Sequence, residues 1–202
     1  MKNKSLEEFT GLIASKAPSP GGGGAGAAAA AIGIALGDMV GELTAGKSKY
    51  ADVEDDIRAL MERAQELRSL LLEEIQADAD GFEPLSRAYK IPKDDPSRSE
   101  KLEEGYKLAV ESPLEVFDYC CEALEIMEGF AEKGSPIVIS DAACGAAICR
   151  GALQTAAVNV KVNTAMMEDR YYANLLNNHV EEGLEKYCAL ADNIFEKIYG
   201  RY

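Results

Sequence analysis

The residues of this chain able to do chemistry fall into a few short constellations. The first is Ser19-Pro20-Gly21-Gly22-Gly23-Gly24, which leads into a long apolar run. Free N–H groups at a helix start can receive a carboxylate, a carbonyl or a phosphate. Glycine also lets a flat ligand approach the backbone. A plain turn is the competing reading, although ordering consecutive glycines costs much conformational entropy. The second is Ser140-Asp141, ahead of a nearly all-apolar stretch. Asp at a helix start serves capping and the helix dipole; alternatively it is an acid/base, or an anchor for a cationic or amide-bearing ring. The third is Asn159 and Asn163, one helical turn apart in an apolar segment. Buried amides must be hydrogen-bonded, so they either tie neighbouring helices or reach a polar ligand. The fourth is Lys47 and Lys49. They either complement a helix C-terminus or form a local basic spot for an anion. Of the nearby carboxylates Asp78 and Asp80, Asp80 reads as solvated and Asp78 as ambiguous.

Other chemistries are poorly represented. There is no GxxxxGKS loop and no strand-preceded GxGxxG, so the glycine run is no nucleotide motif. The one histidine, His179, lies in the polar run NNHVEE and reads as a solvated surface residue, so no metal site is expected. Cys120, Cys121, Cys144, Cys149 and Cys188 show no CxxC spacing and read as small buried hydrophobes. Their odd count and a polar, charged start (residues 1–10) lead us to expect a cytoplasmic compartment. The chain carries 35 acidic and 21 basic residues, a net charge of -14. Such a balance argues against nucleic acid and anionic membrane surfaces as partners.

The elements that must position these residues are helical. Ser5 with Glu8 predicts a capping box and a first helix to about residue 16. A glycine loop over 17–24 should precede a second helix over 25–44, stopped near Gly46. Its uncharged run is short for a bilayer and reads as a core helix. Gly33, Gly37 and Gly41 share a helix face and call for a closely packed partner helix, from this chain or from a second subunit. An amphipathic helix starts at Asp52 and extends toward Tyr89, with a break expected near Gly81 and Pro84. Further helices are expected over 99–111, from a Ser112 cap to about 134, from a Ser140 cap over 141–166, and over 168–199. The alternating residues 158–163 could form a strand, but without a second strand to pair with they read as helix. The expectation is a single all-α domain over 1–202, a bundle of six or seven helices with buried Gly/Ala-rich central helices.

At these same positions the chain resembles the cyclodeaminase/cyclohydrolase family of one-carbon folate enzymes. That is the fold of the C-terminal domain of formiminotransferase-cyclodeaminase. The matching pieces are APSPGGGGAGAAAAAIGIALGDMV, LTAGKSKY, ADADGF, AYKIPK, SPLEV, ISDA and AVNVKVN, in family order over nearly the whole chain. The resemblance implies an all-helical homodimer that binds tetrahydrofolate derivatives, with no cofactor beyond that substrate and no metal. It implies first the conversion of 5-formiminotetrahydrofolate to 5,10-methenyltetrahydrofolate and ammonia. The alternative is hydrolysis of the methenyl bridge to 10-formyltetrahydrofolate, and a further one is a non-catalytic folate-binding dimer. Under the resemblance Asp141 becomes the first acid/base candidate and Asp78 the second. Pro20, Gly21, Gly22, Gly23 and Gly24 would contact folate together with Ser140; Lys49 would receive carboxylates of the glutamate tail. Asn159 and Asn163 would orient the pterin or bind the leaving group.

Overall fold

A computed structural model describes residues 3–202, so the first two residues of the expected 1–202 domain lie outside the described residues. The order is α1 (Leu6–Ile13), α2 (Gly22–Glu42), a 3-10 turn (Ser48–Tyr50), α3 (Glu54–Ala88), α4 (Arg98–Ala109), α5 (Glu111–Lys133), α6 (Ser140–Met166) and α7 (Arg170–Tyr199). No strand occurs among the described residues. The protein is all-α, as its periodicity predicts, and residues 158–163 are helical.

Local signals set several helix ends. The Ser5/Glu8 capping box forms: Glu8 N–H donates to Ser5 Oγ at 3.2 Å, and Ser5 N–H donates to Glu8 Oε2 at 2.8 Å. Gly46 takes φ of +75° just beyond α2, a left-handed value that glycine adopts without strain. Two expected caps do not form. Ser112 lies inside α5 and its hydroxyl donates to the Glu74 carbonyl at 3.4 Å, tying α5 to α3. Ser140 is the first residue of α6, which has Ile139 at its N-cap and no side-chain cap. The expected break in α3 is also absent: the helix runs 35 residues through Pro84. Packing overrides the proline there, because Leu85 and Ala88 beyond it are buried and Gly105 of α4 receives Leu85 closely.

α2 and α6 form the centre and run antiparallel. Gly22 faces Asn159, Gly26 faces Ala152 and Thr155, and Gly33 faces Gly145 and Cys149. α3 and α5 pack against the same α2, and α7 covers α6. By length and composition α2 could cross a bilayer, yet Ala27, Ala30, Ile34 and Val40 are fully buried within the bundle. The partners of Gly33, Gly37 and Gly41 lie in this chain: α6 for Gly33, Met127 and Phe130 of α5 for Gly37, Met61 of α3 and Phe130 for Gly41. This glycine face is therefore internal and is no interface between subunits. A Cβ at Gly33 would lie 2.5 Å from Cys149 Sγ and 3.1 Å from the Gly145 carbonyl. Gly33→Ala is expected to destabilise the fold by about 1–3 kcal/mol, read as a lower urea midpoint with unchanged slope.

Burial explains the thiols. All five cysteines are free, and Cys120, Cys121 and Cys149 are buried, whereas Cys144 is exposed. Burial pushes the Cys149 thiol up to about 12, which leaves it inert as a nucleophile. His179 is exposed and shares a 2.7 Å hydrogen bond with Asp118.

Candidate active site

The antiparallel pairing of α2 and α6 brings the glycine run to the amide end of α6. α2 begins at Gly22, three residues earlier than its composition suggests, so Gly22, Gly23 and Gly24 form its first turn. N–H groups in a first turn have no carbonyl one turn earlier to bond. The Gly24 N–H donates to Asp78 Oδ2 at 2.9 Å, while those of Gly22 and Gly23 remain open. The Ser19–Pro20 peptide is cis, and Pro20 is buried beneath the turn.

Asp78 comes from the middle of α3, and its carboxyl lies directly against Gly23. A Cβ on Gly23 would sit 2.0 Å from Asp78 Oδ1, so only glycine leaves room for the carboxyl. Asp78 is half-buried. Burial raises its pKa above the usual carboxylate value, and the Gly24 N–H opposes that shift only in part. A carboxyl tuned upward is suited to carry a proton and return it.

The amides complete the cleft. Asn159 Nδ2 donates to the Thr155 carbonyl at 2.8 Å, and its side chain lies against Gly22. Asn163 Nδ2 donates to the Ala109 carbonyl at 3.2 Å and to the Asn159 carbonyl at 3.0 Å. Asn163 thus ties α6 to α4, the structural role open to it from sequence. Both side-chain oxygens remain available as acceptors. The cleft has a volume of about 200 Å3 and is lined by Ser19, Gly21, Gly22, Gly23, Asp78, Asn159 and Asn163, with Phe82, Pro113 and Val162 as apolar walls. Phe82 and Pro113 were missed as wall residues from sequence. Their signal was present in the ADADGF and SPLEV segments, but there only Gly81 and the Ser112 cap were read, as local helix punctuation.

The remaining expected site residues lie elsewhere. Ser140 and Asp141 open α6, and Asn159 follows 18 residues later, roughly 27 Å away along the axis. Lys49 belongs to the turn beyond the other end of α2. That turn sits near the start of α6, because Tyr50 OH donates to Ser135 Oγ at 3.1 Å and Ser135 N–H donates to Thr44 Oγ1 at 2.8 Å. Lys47 donates to the Leu43 carbonyl and so caps α2. Asp80 is exposed and accepts from Gln76 at 2.8 Å. Within one chain, then, Asp78, the glycine turn and both amides meet, and Asp141, Ser140 and Lys49 gather at the opposite end.

Two larger hollows of about 510 Å3 each are acid-lined, one by Glu74, Asp80, Glu111 and Glu115, the other by Asp118, Glu122, Glu125 and Glu182. Neither suits an anionic ligand. Among the described residues no group of three or more His, Cys, Asp or Glu is placed to hold a metal ion.

The fold and cleft define a helical-bundle protein in which a carboxyl, two amides and bare glycine backbone converge. Comparison with known proteins identifies the family. The Formiminotransferase-cyclodeaminase family profile matches residues 5–182. The chain is 38% identical over 200 residues to methenyltetrahydrofolate cyclohydrolase of Methylorubrum extorquens, covering 97% of this chain and 96% of that one. It is 27% identical over 203 residues to formimidoyltransferase-cyclodeaminase of Sus scrofa, covering 98% of this chain and 38% of that longer protein. The solved formiminotetrahydrofolate cyclodeaminase of Thermotoga maritima superposes with a TM-score of 0.84 at 28% identity, over 98% of this chain and 96% of that one. The chain belongs to the cyclodeaminase/cyclohydrolase family of one-carbon folate enzymes.

Proposed function

We propose that this chain hydrolyses the methenyl bridge of 5,10-methenyltetrahydrofolate to give 10-formyltetrahydrofolate, with Asp78 as acid/base. The observation that carries the mechanism is the half-buried Asp78 carboxyl, raised in pKa and held by the Gly24 N–H beside the open glycine turn. The end-to-end likeness at 38% identity to a methenyltetrahydrofolate cyclohydrolase favours hydrolysis over ring-closing deamination.

The pterin lies against Gly22 and Gly23, where the absence of side chains admits a flat ring. Asn159 and Asn163 accept from its N–H groups through their free oxygens, and Phe82 and Val162 shield it from water. A water attacks the bridging carbon and its proton passes to the Asp78 carboxylate. The new C–O bond gives a neutral tetrahedral carbon between N5 and N10. Asp78 then returns the proton to N5 as the C–N5 bond breaks. The hydroxyl proton leaves to solvent, so one proton is released for each water consumed. The folate is substrate, and the steps call on no further cofactor.

Ring-closing deamination of 5-formiminotetrahydrofolate is the second reading, favoured by the structural likeness to the Thermotoga maritima cyclodeaminase. N10 attacks the formimino carbon, and Asp78 carries the N10 proton to the departing nitrogen. With one more proton from solvent, ammonia leaves the methenyl product. A tetrahedral carbon between N5 and N10 is crossed here too, bearing an amino group in place of the hydroxyl.

One assay separates the two. Each folate is supplied alone, and methenyl absorbance and ammonia are followed together. Loss of the methenyl chromophore above the uncatalysed rate, without ammonia release from the formimino substrate, is expected. Ammonia release with a rising methenyl signal would give the deaminase reading instead. Tight folate binding without turnover of either substrate would mark a non-catalytic binder.

A further inference from the structure

Hydrolysis of the bridge releases one proton per turnover, and a folate seated on Gly22 and Gly23 covers Asp78 from the cleft side. The proton then needs a way out that avoids the substrate. The wall behind Asp78 offers one. Three pairs of consecutive residues divide between two cavities. Ala77, Leu108 and Ser112 line the acid-lined hollow of about 510 Å3, while Asp78, Ala109 and Pro113 line the cleft. The two cavities stand back to back across α3 and the α4–α5 junction. The hollow opens to solvent, because Asp80, Glu111 and Glu115 on its lining are exposed. It holds no Lys, Arg or His among the described residues, and a polar space of that size accommodates water.

Glu74 joins the two sides of this wall. It lines the hollow and precedes Asp78 by one turn of α3. Around the helix it lies about 40° from Asp78, with the two Cβ atoms about 5–6 Å apart. Its Oε2 is shielded from solvent and has no hydrogen-bond partner among the described residues. Leaving such an oxygen unpaired is costly, and a role in proton transfer or a bound water would account for it. Burial raises the Glu74 pKa above the usual carboxylate value; the Ser112 hydroxyl opposes the shift, and Glu115, Asp78 and Glu73 add to it. Tyr119 also faces it from α5, and Tyr172 of α7 shares the hollow. Asp78 is shifted upward by burial in the same way, so the two carboxyls are matched for passing a proton between them.

We propose that Glu74 is the proton outlet of the site, taking the proton that Asp78 collects and delivering it to water in the hollow behind α3. In hydrolysis, Asp78 returns its first proton to N5 and then takes the hydroxyl proton as the C=O bond of the formyl group forms. That proton passes from the Asp78 carboxyl to the Glu74 carboxylate, directly or through one water, and from Glu74 to solvent. Both carboxylates are regenerated, and one proton has left for each water consumed. In ring-closing deamination the path runs inward and supplies the proton drawn from solvent. Glu74 acts through Asp78 and does not touch the folate. This inference rests on the folate reading for its chemistry, and on the back-to-back cavities for its geometry.

Glu74→Gln keeps the shape of the side chain and removes the relay. With circular dichroism matching wild type, its kcat should fall at least about tenfold, less than the roughly 10²–10⁴-fold loss of an acid/base group itself, and its KM should be unchanged. Imidazole, small enough to enter the hollow, should restore turnover in proportion to its concentration once the enzyme-free rate is subtracted, and should leave wild type unaffected. Glu74→Asp, which keeps a carboxyl, should retain more turnover than Glu74→Gln. In the Asp78→Asn background Glu74→Gln should cost nothing further, because the relay acts only through Asp78. Wild-type kcat in Glu74→Gln, a loss that imidazole does not restore, or additive losses in the double variant overturns the relay. Carbon-13 NMR of the Glu74 carboxyl tests the pair without turnover: it should titrate at lower pH in Asp78→Asn, where the neighbouring negative charge is gone. Identical titration in both proteins overturns the relay whether or not a folate reacts. If wild type turns over neither folate yet the titration shifts, the folate reading fails and the coupled carboxyl pair stands.

Discussion

Replacing Asp78 with Asn should lower turnover by roughly 10²–10⁴-fold and at the same time make the protein more stable at neutral pH. Both effects come from one placement. The carboxyl is held half-buried against Gly23 by the Gly24 N–H, and burial is the main cause of its raised pKa. The folded chain therefore binds this proton more tightly than the unfolded chain does. Its contribution to stability is fully present below the usual Asp value and is lost as pH rises through the folded value. Above that point the wild type carries a buried charge that Asn cannot carry. Asn still offers an oxygen to the Gly24 N–H. The variant's thermal midpoint should exceed that of wild type at pH 7, with the difference shrinking toward zero as pH falls below the ordinary carboxylate range. Thermal unfolding against pH, alongside kcat with both folates, checks the pair. A variant less stable than wild type at pH 7, or one keeping more than about a tenth of its activity, would remove Asp78 from the role assigned to it.

Gly23→Ala is the second large effect, and it acts through a residue with no chemistry of its own. The new methyl carbon would lie 2.0 Å from Asp78 Oδ1 and 2.5 Å from its Cγ. The carboxyl has to swing away and give up the Gly24 N–H. A displacement of about 1 Å at a reacting group costs on the order of 10²-fold in rate, and that is the expected loss. Alanine favours helix more than glycine does, and the clash is with a side chain at the rim of a cleft. Circular dichroism should therefore match wild type, and thermal stability should change little beside the loss of rate. Gly22→Ala is the control. Its Cβ would meet Asn159 Nδ2 at 3.1 Å, a contact that a shift of a few tenths of an ångström relieves, and a loss below about tenfold is expected. Equal losses in the two variants would detach the effect from Asp78.

Much of the fold was legible in the chain. Helical periodicity located the long segments, the Ser5/Glu8 box formed as its spacing predicts, and residues 158–163 were helical despite their alternation. The misses share one cause, tertiary contacts that outweigh local punctuation. Pro84 does not end α3 because Leu85 beyond it is buried against α4. Ser112 does not cap α5 because its hydroxyl is turned to the Glu74 carbonyl. The glycines do not stay in a loop because the Asp78 carboxyl accepts from a first-turn N–H and gives that turn an acidic partner, which the dipole of a helix start favours.

The candidate site was legible as a set of motifs but not as an arrangement. Residue types alone marked the glycine turn, the amides at helical spacing and the carboxylates in reach of family chemistry, and with them the family itself. They could not say which carboxylate meets the glycines. Asp78 and Asp141 both lie beside an apolar helical segment, and nothing local separates them. The choice follows from α2 and α6 packing antiparallel through Gly26, Gly33 and Gly145. That packing sends the start of α6 to the far end of α2, roughly 27 Å from Asn159, while α3 crosses the glycine turn at Asp78. Spacing along one helix is written in the sequence, because the rise per residue is constant; which ends of two helices meet is decided only when their small-residue faces close on each other.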